Sequence, residues 1–254
     1  MHDQVAYQQV DLNLMQQFDP LALGSLVNNR TYYYFFKRVL DVTVVTLALV
    51  ILLPVMVLVA MLIVVDSPGP AIFAQERVGA RRRTCSRHFY WRQTLFTCYK
   101  FRSMVQNADP HLHRAFARAF ICNDRERMAA LQPEDTQVCK LVHDPRVTRL
   151  GGFLRKSSLD ELPQLWNVLK GDMGLVGPRP PIPYEVDEYE PWHWRRLETK
   201  PGLTGLWQVT ARSSADFDEM ARLDIWYIEH QSLWLDLKIL LKTPFVVLSG
   251  RGAM

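Results

Sequence analysis

One segment interrupts an otherwise mixed polar and apolar pattern. Val42 to Val65 carries no charged residue, only two threonines and Pro54 among apolar side chains. As a helix its 24 residues would run about 36 Å, against a bilayer core of about 30 Å. Pro54 divides it into arms of 12 and 11 residues, each roughly half the core, and favours a kink or break. Arg30, Lys37 and Arg38 precede the run. Arg77, Arg81, Arg82 and Arg83 follow within 20 residues of its end. Positive charge on both flanks asks for both ends on the cytoplasmic side. A re-entrant helix–break–helix satisfies that, whereas a Pro-kinked spanning helix is the common alternative. The pattern alone leaves both open. Tyr32 to Phe36 form an interfacial aromatic cluster, and residues 1–31 read as a polar, weakly structured tail without a secretory signal.

Beyond the apolar run, alternation predicts short strands over Ala71–Val78 and Phe96–Met104, joined by an exposed basic loop around Arg81–Arg92. Helical patterns cover Pro110–Ala130, Thr148–Lys156, Glu161–Lys170, Pro183–Arg196, Ser214–His230 and Leu235–Leu248. Gln132–Thr136 reads as a break, Cys139–Val142 as extended, and the Pro/Gly clusters at 171–183 and 201–205 as loops. The last helix suits either a core or an interfacial amphipathic position.

Composition changes this picture little. Mean hydropathy is −0.08 over 254 residues, an average that conceals the apolar run. Net charge is +4, yet residues 66–100 alone hold seven basic and two acidic residues. That local excess beside an anchor suits anionic lipid headgroups better than nucleic acid. Cys85, Cys98, Cys122 and Cys139 form no CxxC, so reduced thiols in a cytoplasmic compartment are expected. His111 and His113 cannot share a helix face and read as surface or core residues rather than a metal site.

Candidate chemistry gathers at Asp160 and Glu161. The bland reading is a capping box from Ser158 to Glu161, although Pro163 fits better with Asp160 as N-cap. Either way, carboxylates at a helix start could bind Mg²⁺ or act as a nucleophile. Lys100 and Arg102 would share one strand face, and Arg155 precedes the pair. Arg179 sits in a stiff Gly177-Pro178-Arg179-Pro180-Pro181 loop, Lys200 in another rigid turn, with Arg212 beyond. Each alone is more often a solvated cation. Together with two carboxylates they suit a diphosphate and a divalent metal. Neither phosphate-loop nor dinucleotide fingerprints occur, and Asp216-Phe217-Asp218 reads better as a first helical turn than as a metal motif.

The chain resembles the monotopic bacterial phosphoglycosyl transferases, also called bacterial sugar transferases. The resemblance rests on Lys37-Arg38-Val39-Leu40-Asp41, the Pro-interrupted run, Lys100-Phe101-Arg102-Ser103-Met104 and Asp144-Pro145-Arg146-Val147-Thr148-Arg149. It continues through Leu154 to Met173, Leu175 to Pro180, Lys200 to Val209, Leu223 to Tyr227 and Ser232 to Thr243. It implies a mostly helical α+β fold in three parts. These are a polar tail (1–31), a re-entrant membrane helix broken at Pro54 (32–66), and a cytosolic catalytic domain (67–254) with a small β-hairpin and interfacial amphipathic helices.

It also implies a UDP-sugar donor, an undecaprenyl phosphate acceptor, contact with membrane lipids at the cytoplasmic face of the inner membrane, and no nucleic-acid partner. A homodimer is compatible with it. Asp160 would attack the sugar-bearing phosphate and release UMP, with Glu161 as base or metal partner and Mg²⁺ held by Asp160. Arg155 and Arg179 would handle phosphate, with Lys100, Arg102, Lys200 and Arg212 as further binding residues. The alternative is an inactive membrane scaffold of a polysaccharide assembly complex. The stretch from Arg81 to Thr97 is longer and more basic than the family's usual turn. Many relatives carry four further N-terminal membrane helices and an extra domain, so this chain reads as a minimal form or a catalytic fragment.

Overall fold

The computed structural model describes residues 30–85, 88–131, 144–211 and 215–248. The tail before Arg30, the expected break at Gln132–Thr136 and the extended stretch at Cys139–Val142 lie outside them.

Helix α1, Thr31–Asp66, runs 36 residues with Pro54 inside it. The two arms expected from sequence are therefore one helical element. Proline deletes a single backbone bond, and both arms are gripped by the rest of the chain. Lys37, Asp41, Val45, Val59 and Ile63 are buried at helical spacing. Ala48, Leu49 and Leu52 pack on a cluster of Leu165, Val168, Met173, Val176, Tyr227 and Ile239. Met56 and Ala60 pack with Val59 and Ile63 on Phe101 and Leu154. Pro54 lies where contacts pass from the first cluster to the second. The other faces expose Leu47, Val50, Ile51, Leu53, Leu58, Met61, Leu62 and Val65, an apolar surface far larger than a soluble monomer shows.

The hairpin corrects the sequence reading. Strands β1 (Ile72–Cys85) and β2 (His88–Phe101) pair antiparallel in unbroken register from Ile72↔Phe101 to Cys85↔His88. The stretch read as a basic loop is strand. Arg82 supplies the reason: its guanidinium lies 3.7 Å from the centre of Phe89 and 4.7 Å from that of Tyr34, and it reaches Thr31 Oγ1. Cation–π contact thus stitches the far end of the hairpin to the start of α1.

Helices α2 (His111–Ile121) and α3 (Arg125–Leu131) replace one expected helix. Asn123 adopts a left-handed conformation (φ 53°) between them. Next come α4 (Arg149–Lys156), α5 (Gln164–Lys170) and strand β3 (Gly174–Val176). The helix expected over Pro183–Arg196 shrinks to α6 (Pro183–Val186) and a 3₁₀ segment at His193–Leu197, with Pro191 breaking the ladder between them. Strand β4 (Gly202–Thr204) pairs parallel with β3, so the two expected loops contain a short sheet. Helices α7 (Leu206–Thr210), α8 (Phe217–His230) and α9 (Leu233–Leu248) complete the mostly helical α+β fold.

A buried ion pair ties the first helix to the last. Lys37 Nζ lies 2.7 Å from Asp236 Oδ2, with both side chains almost fully buried. Tyr33 and Tyr227 donate their hydroxyls to the same carboxylate. Removing one partner of such a pair leaves a buried uncompensated charge, costing about 3–5 kcal/mol. Lys37→Met should therefore lower the melting temperature sharply in detergent. Asp236→Asn in the same chain should recover part of the loss. Equal melting of Lys37→Met and wild type would mean that the pair is not holding the helix.

Candidate active site

Thr148 starts α4 by accepting a hydrogen bond from Gly151 N at its Oγ1. A Cβ on Gly151 would lie 2.0 Å from the Ser103 carbonyl oxygen, so glycine lets α4 press against the end of the hairpin. That contact lets Arg155 Nε donate to Ser103 Oγ at 2.9 Å. Ser158, left-handed at φ 57°, then turns the chain into a single 3₁₀ turn, Leu159–Glu161. The capping expectation is corrected here. Ser158 makes no side-chain cap bond, and Pro163 rather than Asp160 caps α5. The dyad occupies a tight turn between two helices. Leu159 and Leu162 anchor that turn against the Met56–Ile63 stretch of α1.

Glu161 is tied on two sides. Lys100 Nζ donates to its Oε1 at 2.8 Å and Arg179 Nη1 at 3.3 Å. Arg179 is held by interlocked backbone. A Cβ on Gly202 would lie 2.0 Å from Gly177 N, and Gly202 N donates to Pro178 O. Burial would raise the Glu161 pKa, but Lys100 and Arg179 outweigh it and keep this carboxyl ionised well below the usual range. Asp160 differs. It is 8% exposed and accepts no hydrogen bond among the described residues. Burial chiefly, and the neighbouring Glu161 charge, push its pKa up to about 6 against the pull of Lys100, Arg155 and Arg179. Two adjacent carboxylates are thereby driven apart, one locked as an anion and one left uncommitted.

The structure thus gathers Asp160, Glu161, Lys100, Arg155 and Arg179. Arg102 departs from expectation. Strand β2 ends at Phe101, and Arg102 turns to donate to the carbonyls of Ile63, Ser67 and Pro68, closing the end of α1. Lys200 is half-buried among Arg38, Asp41, Lys37 and Arg81, away from the dyad's hydrogen bonds. Arg212 lies outside the described residues. Asp216 caps α8 and Asp218 meets His193, so the D-x-D stretch serves the helix start. His113 Nδ1 meets the Tyr184 hydroxyl.

Sequence reasoning missed Arg77 and Gln164, which line a small cavity with Cys98, Lys100, Glu161 and Arg179. Arg77 stands on the same hairpin face as Cys98 and Lys100. The needed signal was the strand register, which alternation alone does not supply.

No three His, Cys, Asp or Glu side chains converge on a metal position among the described residues. The dyad still suits Mg²⁺, which binds through one or two carboxylates together with substrate phosphates and water. Asp160 is the carboxylate of the pair that could serve as ligand, since Glu161 already accepts from Lys100 and Arg179.

An uncommitted carboxylate ringed by fixed cations, on a domain carrying a lipid-length apolar helix, has the outline of a membrane-associated phosphate-handling protein. The chain belongs to the bacterial sugar transferase family, whose pattern matches residues 32–250. It is 42% identical over 219 residues to the undecaprenyl-phosphate galactose phosphotransferase of Salmonella typhimurium, covering 86% of this chain and 42% of that protein. It is 43% identical to galactosyl transferase CpsE of Streptococcus agalactiae, covering 85% of this chain and 43% of that one. It is 37% identical to the exopolysaccharide production protein ExoY of Sinorhizobium fredii, covering 85% and 87%. The chain thus spans about two fifths of the first two relatives and most of the third.

The raised Asp160 pKa has a stability sign. A folded pKa above the unfolded one means that ionised Asp160 destabilises the fold. The cost is full above about pH 6 and disappears as pH falls toward 4. Asp160→Asn should therefore melt higher than wild type at pH 7.5, by roughly 2–4 °C per kcal/mol relieved. The gap should close by pH 4. A pH-independent gap would contradict the assignment.

Proposed function

We propose that the domain transfers a hexose-1-phosphate from a UDP-sugar to undecaprenyl phosphate, the first membrane step of exopolysaccharide, capsule or O-antigen synthesis. The observation that carries this is the free, buried Asp160 carboxylate beside a Glu161 already neutralised by Lys100 and Arg179. Arg77, Lys100, Arg155 and Arg179 against Asp160 and Glu161 leave a local excess of two positive charges. That matches the double negative charge of a nucleotide-sugar diphosphate.

In the first step an Asp160 carboxylate oxygen bonds to the sugar-bearing phosphorus. The phosphorus–oxygen bond to the nucleotide breaks, and UMP departs with the electron pair. In the second, a phosphate oxygen of undecaprenyl phosphate attacks that phosphorus, and the acyl phosphate bond returns its electrons to Asp160. Lys100 and Arg179 offset charge at the transferred phosphoryl group, Arg155 orients it, and Glu161 fixes those cations in place. Mg²⁺ held by Asp160 and the donor phosphates would neutralise charge that otherwise repels a carboxylate nucleophile. The names of the Salmonella relative and of an N-acetylgalactosaminephosphotransferase from Aeromonas hydrophila, 38% identical, support a lipid-phosphate acceptor.

The helix α1 enters and leaves the cytoplasmic face of the inner membrane, bending near Pro54. Its buried stripe supports this. A helix standing across the bilayer would hold its middle in lipid, out of reach of a polar domain, whereas Leu49, Leu52 and Met56 all pack on the domain. The hairpin's Arg81, Arg83 and Arg92 lie beside the aromatic entry of α1, where anionic lipid headgroups would meet them.

Two measurements test the reading. With radiolabelled UDP-sugar and undecaprenyl phosphate, wild type should move label into the lipid fraction and release UMP. Asp160→Asn should lose at least a thousandfold in rate, as losses of nucleophiles do. Full activity in the variant would end the covalent mechanism. An inactive wild type would favour a scaffold. For topology, cysteines at Tyr32 and Pro70, both exposed, should react with an impermeant thiol reagent from the same side of a sealed vesicle. Labelling from opposite sides would establish a spanning helix.

A further inference from the structure

Two buried donors at the site have no partner. Arg77 is 8% exposed; its Nη1 donates to Pro180 O and its Nη2 to Gln75 Oε1, but its Nε is unpaired. Gln164 is 4% exposed and its Nε2 is likewise unpaired. Leaving such a donor buried costs about 1–3 kcal/mol, so two on residues of one site need a reason. Both residues line one cavity with Lys100, Glu161 and Arg179, whose free volume of about 10 Å³ holds a single water-sized group. Its remaining polar side chains are two cations and one carboxylate that those cations already occupy.

We propose that Arg77 Nε and Gln164 Nε2 form an oxyanion pocket that accepts one non-bridging phosphate oxygen of a substrate. This rests on the phosphate-transfer reading and deepens it. A phosphoryl oxygen is the size of the water it would displace. A donor already held by its neighbours, as Arg77 is by the Pro180 carbonyl and Gln75 Oε1, needs little reorganisation when charge develops on such an oxygen. Arg77 is positioned for the task by the hairpin, which sets it on the face of Lys100, and by the Pro180 carbonyl, which orients its guanidinium plane. Gln164 follows Glu161 by three residues and starts α5. The pocket therefore links the nucleophile's own turn to the wall that binds phosphate. The oxygen could come from the donor diphosphate or from the lipid phosphate.

The test is ligand-induced melting of the full chain in nanodiscs, with inorganic pyrophosphate and dodecyl phosphate titrated separately. Wild type should be stabilised by at least one of them. Gln164→Leu and Arg77→Lys should bind it at least tenfold more weakly, and Gln164→Glu more weakly still by repulsion. Weakening confined to pyrophosphate assigns the pocket to the donor; weakening confined to dodecyl phosphate assigns it to the acceptor. Without ligand, Gln164→Leu should melt no lower than wild type, because it removes an unpaired buried amide. A much lower melting point would mean that the amide has a structural partner, and would overturn the proposal. So would unchanged affinity of the variants for both probes, or no binding by wild type. These readouts do not require turnover, so a chain without transferase activity would refute the proposed function and leave this test standing.

Discussion

The constraint on which the molecule depends is the lengthwise packing of a lipid-length helix against a polar domain. Helix α1 gives up one narrow stripe, from Lys37 to Ile63, and leaves the rest of its circumference apolar and uncovered. The stripe is not uniformly apolar. Its first turns carry Lys37 and Asp41, the former buried on Asp236, the latter accepting from Leu175 N. Charges so placed cannot sit in hydrocarbon, so this end of the helix must stay with the domain. The later turns carry Val59 and Ile63, which meet Phe101 and Leu154. The helix is thus bound by polar specificity at its entry and by hydrophobic contact beyond Pro54.

The dyad inherits its position from that packing. Leu159 and Leu162 flank Asp160 and Glu161 and rest on the same helix surface. The carboxylates are therefore held in fixed relation to α1. Their division of labour is electrostatic rather than conformational. Glu161 binds Lys100 and Arg179, whereas Asp160, one residue away and buried, feels Lys100, Arg155 and Arg179 without accepting a hydrogen bond among the described residues. The raised pKa of Asp160 follows chiefly from burial, with the neighbouring Glu161 charge adding to it.

Much of this was legible in the chain. Spacing and composition located the apolar helix, the dyad, Lys100, Arg155 and Arg179, because strand alternation, stiff Pro/Gly turns and adjacent carboxylates are local signals. What was illegible depended on pairing between distant segments. Arg82 extends the hairpin only because Tyr34, 48 positions earlier, offers a ring to stack on. Arg77 joins the site through register, and Lys200 leaves it because the loop carrying it folds toward Asp41. Asp160 was read as a helix cap because the motif permits one. The left-handed Ser158 instead turns the chain into the 3₁₀ turn that carries the dyad.

Arg102 shows why such errors are instructive. Lys100, Phe101 and Arg102 are consecutive, and alternation puts the two cations on one face. The strand ends between them, and the three side chains take three tasks. Lys100 reaches Glu161, Phe101 enters the core against Val59 and Ile63, and Arg102 gathers the carbonyls that end α1. Four carbonyls at a helix end lack internal partners, and in an apolar setting a guanidinium is the side chain with enough donors to serve several of them. A cation expected at the phosphate site thus closes the lipid-facing helix, and its neighbour two residues away holds the dyad. Three consecutive residues thus join the C-terminal end of α1 to Glu161.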